Sequence, residues 1–323
     1  MDSVRAVLED DLNRVEEALL ERAASRYEFV DLAAQHVIEG GGKRLRPILL
    51  LLSAKSLGYS GADMYHLAAA MELIHVASLV HDDVIDEAAV RRSRETLNAR
   101  FGNKVAVLVG DYLHARVLAI LVRCRCPEPV LRVVADATRS MCEGEVVGAH
   151  RARDFDLALV EYLRIIELKT AKLMAASCAI GALVATNDDA KIAALTDYGH
   201  RIGLAFQIVD DMLDLVGQPS RFGKPTQTDV REGKLTLPVM YARDQATAEE
   251  RGRLAALFRA DARSPSDVEW IVSVAETYGG VEHAAEVAEG YSRQAKECLT
   301  MLPASRPRDA LYELADYIVA RDY

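Results

Sequence analysis

The stretch His75-Val76-Ala77-Ser78-Leu79-Val80-His81-Asp82-Asp83-Val84-Ile85-Asp86-Glu87-Ala88-Ala89-Val90-Arg91-Arg92-Ser93-Arg94 organises the chain. Before Asp82 the residues are almost all apolar or small at helical spacing, which predicts a buried helix with Asp82, Asp83 and Asp86 near its C-terminal end. At 100° per residue the three carboxylates share one arc of its surface. Like charges there repel one another and oppose the negative end of the helix dipole. A hard cation such as magnesium relieves both, because it takes carboxylate oxygens and keeps positions open for a phosphate. A solvated acidic helix end is the alternative for a lone trio.

The trio is not alone. Asp210-Asp211-Met212-Leu213-Asp214 repeats the pattern after the apolar run Ile202 to Val209 and just before Gly217. Basic residues follow each copy: Arg91, Arg92 and Arg94 after the first, Lys224, Arg231 and Lys234 after the second. Acid and base in alternation read as a diphosphate site.

The wider chain agrees with an all-α protein. Prolines are absent from Ile48 to Cys126 and from Val130 to Gln218, leaving long spans for helices and little turn chemistry for sheets. Helical periodicity predicts helices over Met1 to Ala24, Glu28 to Glu39, Asp63 to Ala88, Asn103 to Arg123, Glu128 to Ala149, Leu157 to Ala185 and Asp188 to Val216. Shorter packing helices follow Pro238. The 323 residues contain no Ser/Gly/Pro-rich linker, so residues 1–323 read as one domain.

Composition narrows the function. A net charge of -10 disfavours nucleic acid as partner, since phosphate backbones are bound by surplus basic charge. The acidic N-terminus has no apolar h-region, and the Leu49 to Leu52 run is too short to span a bilayer, so a cytoplasmic protein without a transmembrane segment is expected. Five scattered cysteines fit reduced thiols.

Isolated residues carry weaker signals. Gly42-Lys43-Arg44-Leu45-Arg46-Pro47 places three cations before a helix start, which is either a basic loop in water or an anion seat. His75 precedes Asp82 by two helical turns and lies on nearly the same face. Lys169, amid apolar neighbours, either snorkels or serves a buried anion. Gln207 precedes Asp211 by one turn and can face the same cavity. The Gln218 to Leu237 stretch, rich in Gly, Pro, Thr and Lys, reads as a lid-like loop.

Together these motifs resemble the trans-isoprenyl (polyprenyl) diphosphate synthases over nearly the whole chain. Gly41-Gly42-Lys43-Arg44-Leu45-Arg46-Pro47 is similar to the family's GGKRLRP, the two acid trios to its aspartate-rich motifs, and Gly233-Lys234-Leu235-Thr236-Leu237-Pro238 to a fourth motif. The resemblance implies a bundle of long helices around a deep central cavity, the isoprenoid synthase fold, assembled as a homodimer. It implies that Asp82, Asp83, Asp86, Asp210, Asp211 and Asp214 hold Mg2+ ions bridging an allylic diphosphate. Lys169, Arg91, Lys224 and Lys234 would grip that diphosphate. Lys43, Arg46, His75 and Arg92 would hold isopentenyl diphosphate, and Thr170 and Gln207 would line the reacting carbons.

The resemblance also frames product length. The small Ala77 and Ser78 stand where short-chain members commonly carry an aromatic block, which implies a product longer than geranylgeranyl, such as a quinone side chain, with peripheral membrane contact for its release. Two departures concern loop geometry: Ser93 stands at a usual glycine, and Thr226-Gln227-Thr228-Asp229 replaces a usual Gly- and Asp-containing loop. Three other readings remain at this point: a terpene cyclase, a non-catalytic partner subunit of a heteromeric prenyltransferase, and an HD-type metal phosphohydrolase using His81, Asp82 and His75.

Overall fold

The long proline-free apolar runs fold as helices, and the strands among the described residues are two-residue segments, Val90–Arg91 (β1) and Arg94–Glu95 (β2). The structure is a computed structural model that describes residues 1–217 and 226–321. The all-α expectation is borne out. Lys224 lies outside the described residues.

The chain forms two compact units. The first comprises residues 1–138, 173–199 and 298–314. It begins with α1 (Asp2–Val7), α2 (Glu9–Ala23), α3 (Glu28–Ile38) and α4 (Leu45–Ser56). The expected single N-terminal helix is broken at Leu8, whose backbone leaves the helical region at φ -122° and ψ 14° while its side chain is fully buried. Every residue from Leu45 to Ala54 is buried, so α4 is a core helix, as expected of a helix apolar on all sides.

The motif helix α5 (Asp63–Ile85) packs against α2, α4 and α7 (Asn103–Arg123); a short α6 (Leu97–Phe101) precedes α7. Among the described residues α7 is the one helix long and apolar enough to cross a bilayer. Its Ala106, Val109, Leu113, Val117 and Ile120 are buried, whereas Leu108, Leu118 and Val122 are exposed.

The second unit comprises residues 139–172, 200–297 and 315–323. Both α8 (Glu128–His150) and α11 (Asp189–Val216) run from the first unit into it. The expected helix Leu157 to Ala185 divides into α9 (Leu159–Ile166), a π-helical turn over Glu167–Ala171, and α10 (Lys172–Leu183). The turn holds Lys169 and Thr170. Such a wider turn re-aims side chains and is frequent at functional sites.

Two glycines hold the π turn in place. A Cβ on Gly144 of α8 would come within 2.7 Å of the Lys169 nitrogen, and one on Gly203 of α11 within 2.4 Å of the Ala171 Cα. Both approaches are closer than any side chain permits. Farther on, helices cover Leu237–Gln245, Ala248–Arg259, Pro265–Thr277, Gly280–Cys298 and Arg306–Val319. Capping boxes at Thr247 with Glu250 and Ser264 with Asp267 start two of them. Within the expected loop, Thr228–Glu232 is a short helix.

Candidate active site

In the first unit, one acid trio is built on α5. The helix ends at Ile85, three residues before the expected Ala88, with Asp82 and Asp83 in its last turn and Asp86 as C-cap. Its terminal carbonyls are satisfied by a side chain from beyond the hairpin: the Asn98 amide donates to the Asp83 oxygen at 3.1 Å and to the Ala88 oxygen at 2.9 Å. Asp83 is buried and pairs with Arg91 Nε at 2.6 Å. Burial raises its carboxyl above the usual range, against the pull of Arg91 and with a push from Asp86.

Between β1 and β2, Arg92 and Ser93 form a two-residue hairpin with φ of 52° and 61°. Successive positive φ values are the signature of the tight hairpin turns that favour glycine. Ser93 therefore keeps the geometry at a steric cost of about 1 kcal/mol. The turn aims Arg92 at the glycine loop, where its guanidinium donates to the Gly41 carbonyl.

That loop sorts its own cations. Arg44, at φ 53°, turns inward and is buried. It donates to Glu16 at 2.6 and 3.0 Å, to Glu72 at 3.1 Å and to the Ile38 carbonyl at 3.0 Å. Arg44 is thus a clamp for α2, α3 and α5. Lys43 is half-buried and Arg46 is buried in the first turn of α4.

His75 lies among Arg46, Arg92, Arg91 and Arg44. Burial first, and then these four cations, push the imidazole well below its usual range, so it is neutral. The structure therefore brings Arg46, His75, Arg91 and Arg92 together. Two turns above the acids, Ala77 is fully buried, as are Ile74 and Met71; Ser78 is half-buried and donates to the His75 carbonyl at 2.8 Å.

In the second unit, the other acid trio lies where α11 meets the π turn. Thr170 donates to Gln207 Oε1 at 2.6 Å, and Gln207 Nε2 donates to Asp211 Oδ1 at 2.8 Å. The one-turn spacing of Gln207 and Asp211 thus becomes a bond. Lys169 pairs with Glu145 at 2.7 Å, and Lys234 with Glu232 at 2.6 Å.

Four contributors were not legible in the sequence. Tyr162, buried on α9, donates to Asp211 Oδ2 at 2.7 Å. Arg321, from near the C-terminus, pairs with Asp210 at 3.0 Å, donates to the Phe206 carbonyl at 3.0 Å and stacks 4.2 Å over the Phe206 ring. Its side chain is 1% exposed. Asp229 donates its backbone N–H to Asp214 Oδ2 at 3.0 Å, and the Gln227 N–H donates to the Asp214 carbonyl at 2.7 Å. Glu145 is the acid facing Lys169. The nearest signal for Asp229 is its place five residues before Lys234; for Tyr162 and Arg321 there is none, because both act across more than 45 residues.

These carboxylates crowd one another. Burial first, then Asp210 and Asp214, raise Asp211 to about 6, while Gln207 and Tyr162 pull it down. Asp229 is raised to about 8 by burial and by Asp211 and Asp214, although its side chain retains 24% exposure. Such crowding is relieved by positive charge, and the donors are all oxygens, which fits a hard divalent cation. Among the described residues no three His, Cys, Asp or Glu side chains converge closely enough to hold an ion by themselves. Magnesium commonly takes one or two carboxylates and completes its shell with water and substrate phosphate.

The profile of the polyprenyl synthetase family matches residues 28–275. The heptaprenyl diphosphate synthase component 2 of Geobacillus stearothermophilus is 38% identical over 323 residues, 100% of this chain and 99% of the relative. A short chain isoprenyl diphosphate synthase from Methanothermobacter thermautotrophicus is also 38% identical, over 90% of each chain. The structure of a polyprenyl synthase from Caulobacter crescentus, complexed with calcium and isoprenyl diphosphate, superposes with a TM-score of 0.94 at 37% identity, covering 99% of this chain and 97% of that one.

The chain belongs to the polyprenyl synthetase family. It is a prenyl diphosphate synthase, a transferase of prenyl groups with the isoprenoid synthase fold, in a class that works with a divalent metal on isopentenyl and allylic diphosphates.

Proposed function

We propose that this enzyme condenses isopentenyl diphosphate head to tail with an allylic prenyl diphosphate, using Mg2+, to make a trans polyprenyl diphosphate longer than geranylgeranyl. The observation that carries the reading is that each acid trio stands at a helix end with an arginine on one of its carboxylates, Arg91 on Asp83 and Arg321 on Asp210. Residues 1–323 act as one synthase domain.

Asp82, Asp83, Asp86, Asp210, Asp211 and Asp214 are the magnesium ligands. Magnesium held by them would supply positive charge toward the diphosphate that leaves. Arg91, Lys169, Lys224 and Lys234 grip that diphosphate, the lysines exchanging their acidic partners for its oxygens. Lys43, Arg46, His75 and Arg92 hold isopentenyl diphosphate; a neutral His75 can both donate and accept there. Thr170 and Gln207 stand beside the carbon that becomes cationic. The double bond of isopentenyl diphosphate attacks that carbon, and a proton leaves.

The small residues Ala77 and Ser78 support the long product, since neither blocks the face of α5 below the acids. The enzyme works in the cytoplasm as a homodimer, with peripheral membrane contact when product leaves. The decisive experiment incubates the purified chain with Mg2+, labelled isopentenyl diphosphate and farnesyl or geranylgeranyl diphosphate, then sizes the extracted products. Elongation past geranylgeranyl is expected. In the same assay Asp82→Ala and Asp210→Ala lower turnover by at least ~1000-fold with the helical spectrum retained, the order expected for losing charge stabilisation. Elongation only after a second, different protein is added would instead assign the partner-subunit reading.

A further inference from the structure

Tyr162 is not a motif residue, yet its hydroxyl ends a buried chain of three hydrogen bonds: Tyr162 to Asp211, Gln207 to Asp211, and Thr170 to Gln207. Tyr162 and Thr170 flank the entry to the π turn on one interrupted helix, and Gln207 and Asp211 are one turn apart on α11.

The direction of the chain follows from what each group can do. A carboxylate has only lone pairs, so both atoms that meet Asp211 must be donors. One is the Tyr162 phenol, whose hydroxyl lies 2.7 Å from Asp211 Oδ2 and, as a phenol, carries a proton to donate. The other is therefore the amide nitrogen of Gln207, which settles the orientation of that amide by chemistry. Its carbonyl oxygen must then point at Thr170. An amide oxygen only accepts, so the Thr170 hydroxyl spends its one proton on Gln207. What Thr170 has left for the cavity is an oxygen with lone pairs.

We propose that Tyr162 is a positioning residue that, through Asp211 and Gln207, locks Thr170 with its lone pairs presented to the reacting carbon. The inference rests on the reading that Thr170 and Gln207 stand beside that carbon. An oxygen so held is worth most when positive charge develops, and little against an uncharged chain, so the device acts on the transition state rather than on substrate binding. Without Tyr162, Asp211 can turn, Gln207 can flip, and the Thr170 proton can point into the site.

The test compares two allylic diphosphate analogues bound at pH 8 with Mg2+: one with an ammonium group at the position of the reacting carbon, and its uncharged carbon isostere. In the wild-type enzyme the ammonium analogue binds more tightly. In Tyr162→Phe its advantage falls about 10-fold, the scale of one charge-assisted hydrogen bond, while affinity for the isostere stays within about 2-fold. Thr170→Val removes the same advantage, Thr170→Ser keeps it, and the double variant Tyr162→Phe/Thr170→Val loses no more than either single one.

A parallel loss for both analogues in Tyr162→Phe would reduce Tyr162 to a packing residue and overturn the proposal, as would an unchanged ratio. If Tyr162→Phe does not fold, Thr170→Val decides: an undiminished ammonium preference overturns it. Wild-type elongation of farnesyl diphosphate is assayed alongside. Its absence would defeat the prenyltransferase reading itself, an outcome distinct from loss of the Tyr162 effect.

Discussion

Asp229 shows how far a single residue departs from its sequence reading. In a stretch read as a loop, it stands with Asp211 and Asp214, and its carboxyl is raised from 3.8 to about 8. A carboxyl raised on folding holds its proton in the folded state after the unfolded chain has lost it. Its contribution to stability is therefore full below about pH 4, falls as pH rises, and is gone above about pH 8. Asp211, at about 6, adds to the same slope over the lower part of that window. Divalent metal favours the ionised forms and removes this penalty. Between pH 6 and 8.5, in chelator, the melting temperature of the wild type is expected to drop more than that of Asp229→Asn, and Mg2+ to restore it most at the alkaline end. Parallel melting curves for the two proteins would refute the crowding.

At the scale of the element, α5 and the π turn illustrate opposite cases. The start of α5 and the place of its acid trio follow from its own residues, an unbroken apolar run ahead of the acids, whereas the side chain that caps its end, Asn98, comes from α6. The small residues Ala77 and Ser78 of α5 bear on product length. Replacing Ser78 by Phe puts an aromatic ring on the half-buried flank three residues before His81, and products are expected to shorten by one or more isoprene units with primer turnover retained. Thin-layer or mass analysis of the extract reads this directly, and an unchanged product ladder would remove α5 as the wall of the chain's path. The π turn had no such local signal. Periodicity over Leu157 to Ala185 is continuous, and the wider turn lies where Gly144 and Gly203 permit a close approach that no side chain would allow.

Across the whole molecule, α7 leaves apolar side chains exposed among the described residues: Leu118 is 65% exposed and Val122 78%. Side chains of this kind on one long helix fit a second copy of the chain better than open water. Light scattering of the wild type is expected to give a dimer, and Leu118→Glu combined with Val122→Glu to give a monomer with helical content intact. A wild-type monomer would refute the homodimer, and a dimer that persists in the double variant would move the interface elsewhere.

From the sequence alone came the all-α class, the two acid trios, Arg91 as the cation beside the first of them and the resemblance to prenyl diphosphate synthases, because each depends on residues within a turn or a loop of one another. Gln207 facing Asp211 is of this kind: four residues on a helix are neighbours whatever the fold. The two departures at Ser93 and Gln227 were legible as substitutions, but only the backbone decided that both sit at positive φ and leave the turns intact. The inward turn of Arg44, the grip of Arg321 on Asp210 and the bond from Tyr162 to Asp211 were beyond the sequence. Each joins groups from 28 to 111 positions apart, and such pairs are chosen by which faces the packing buries together rather than by any local preference of the chain.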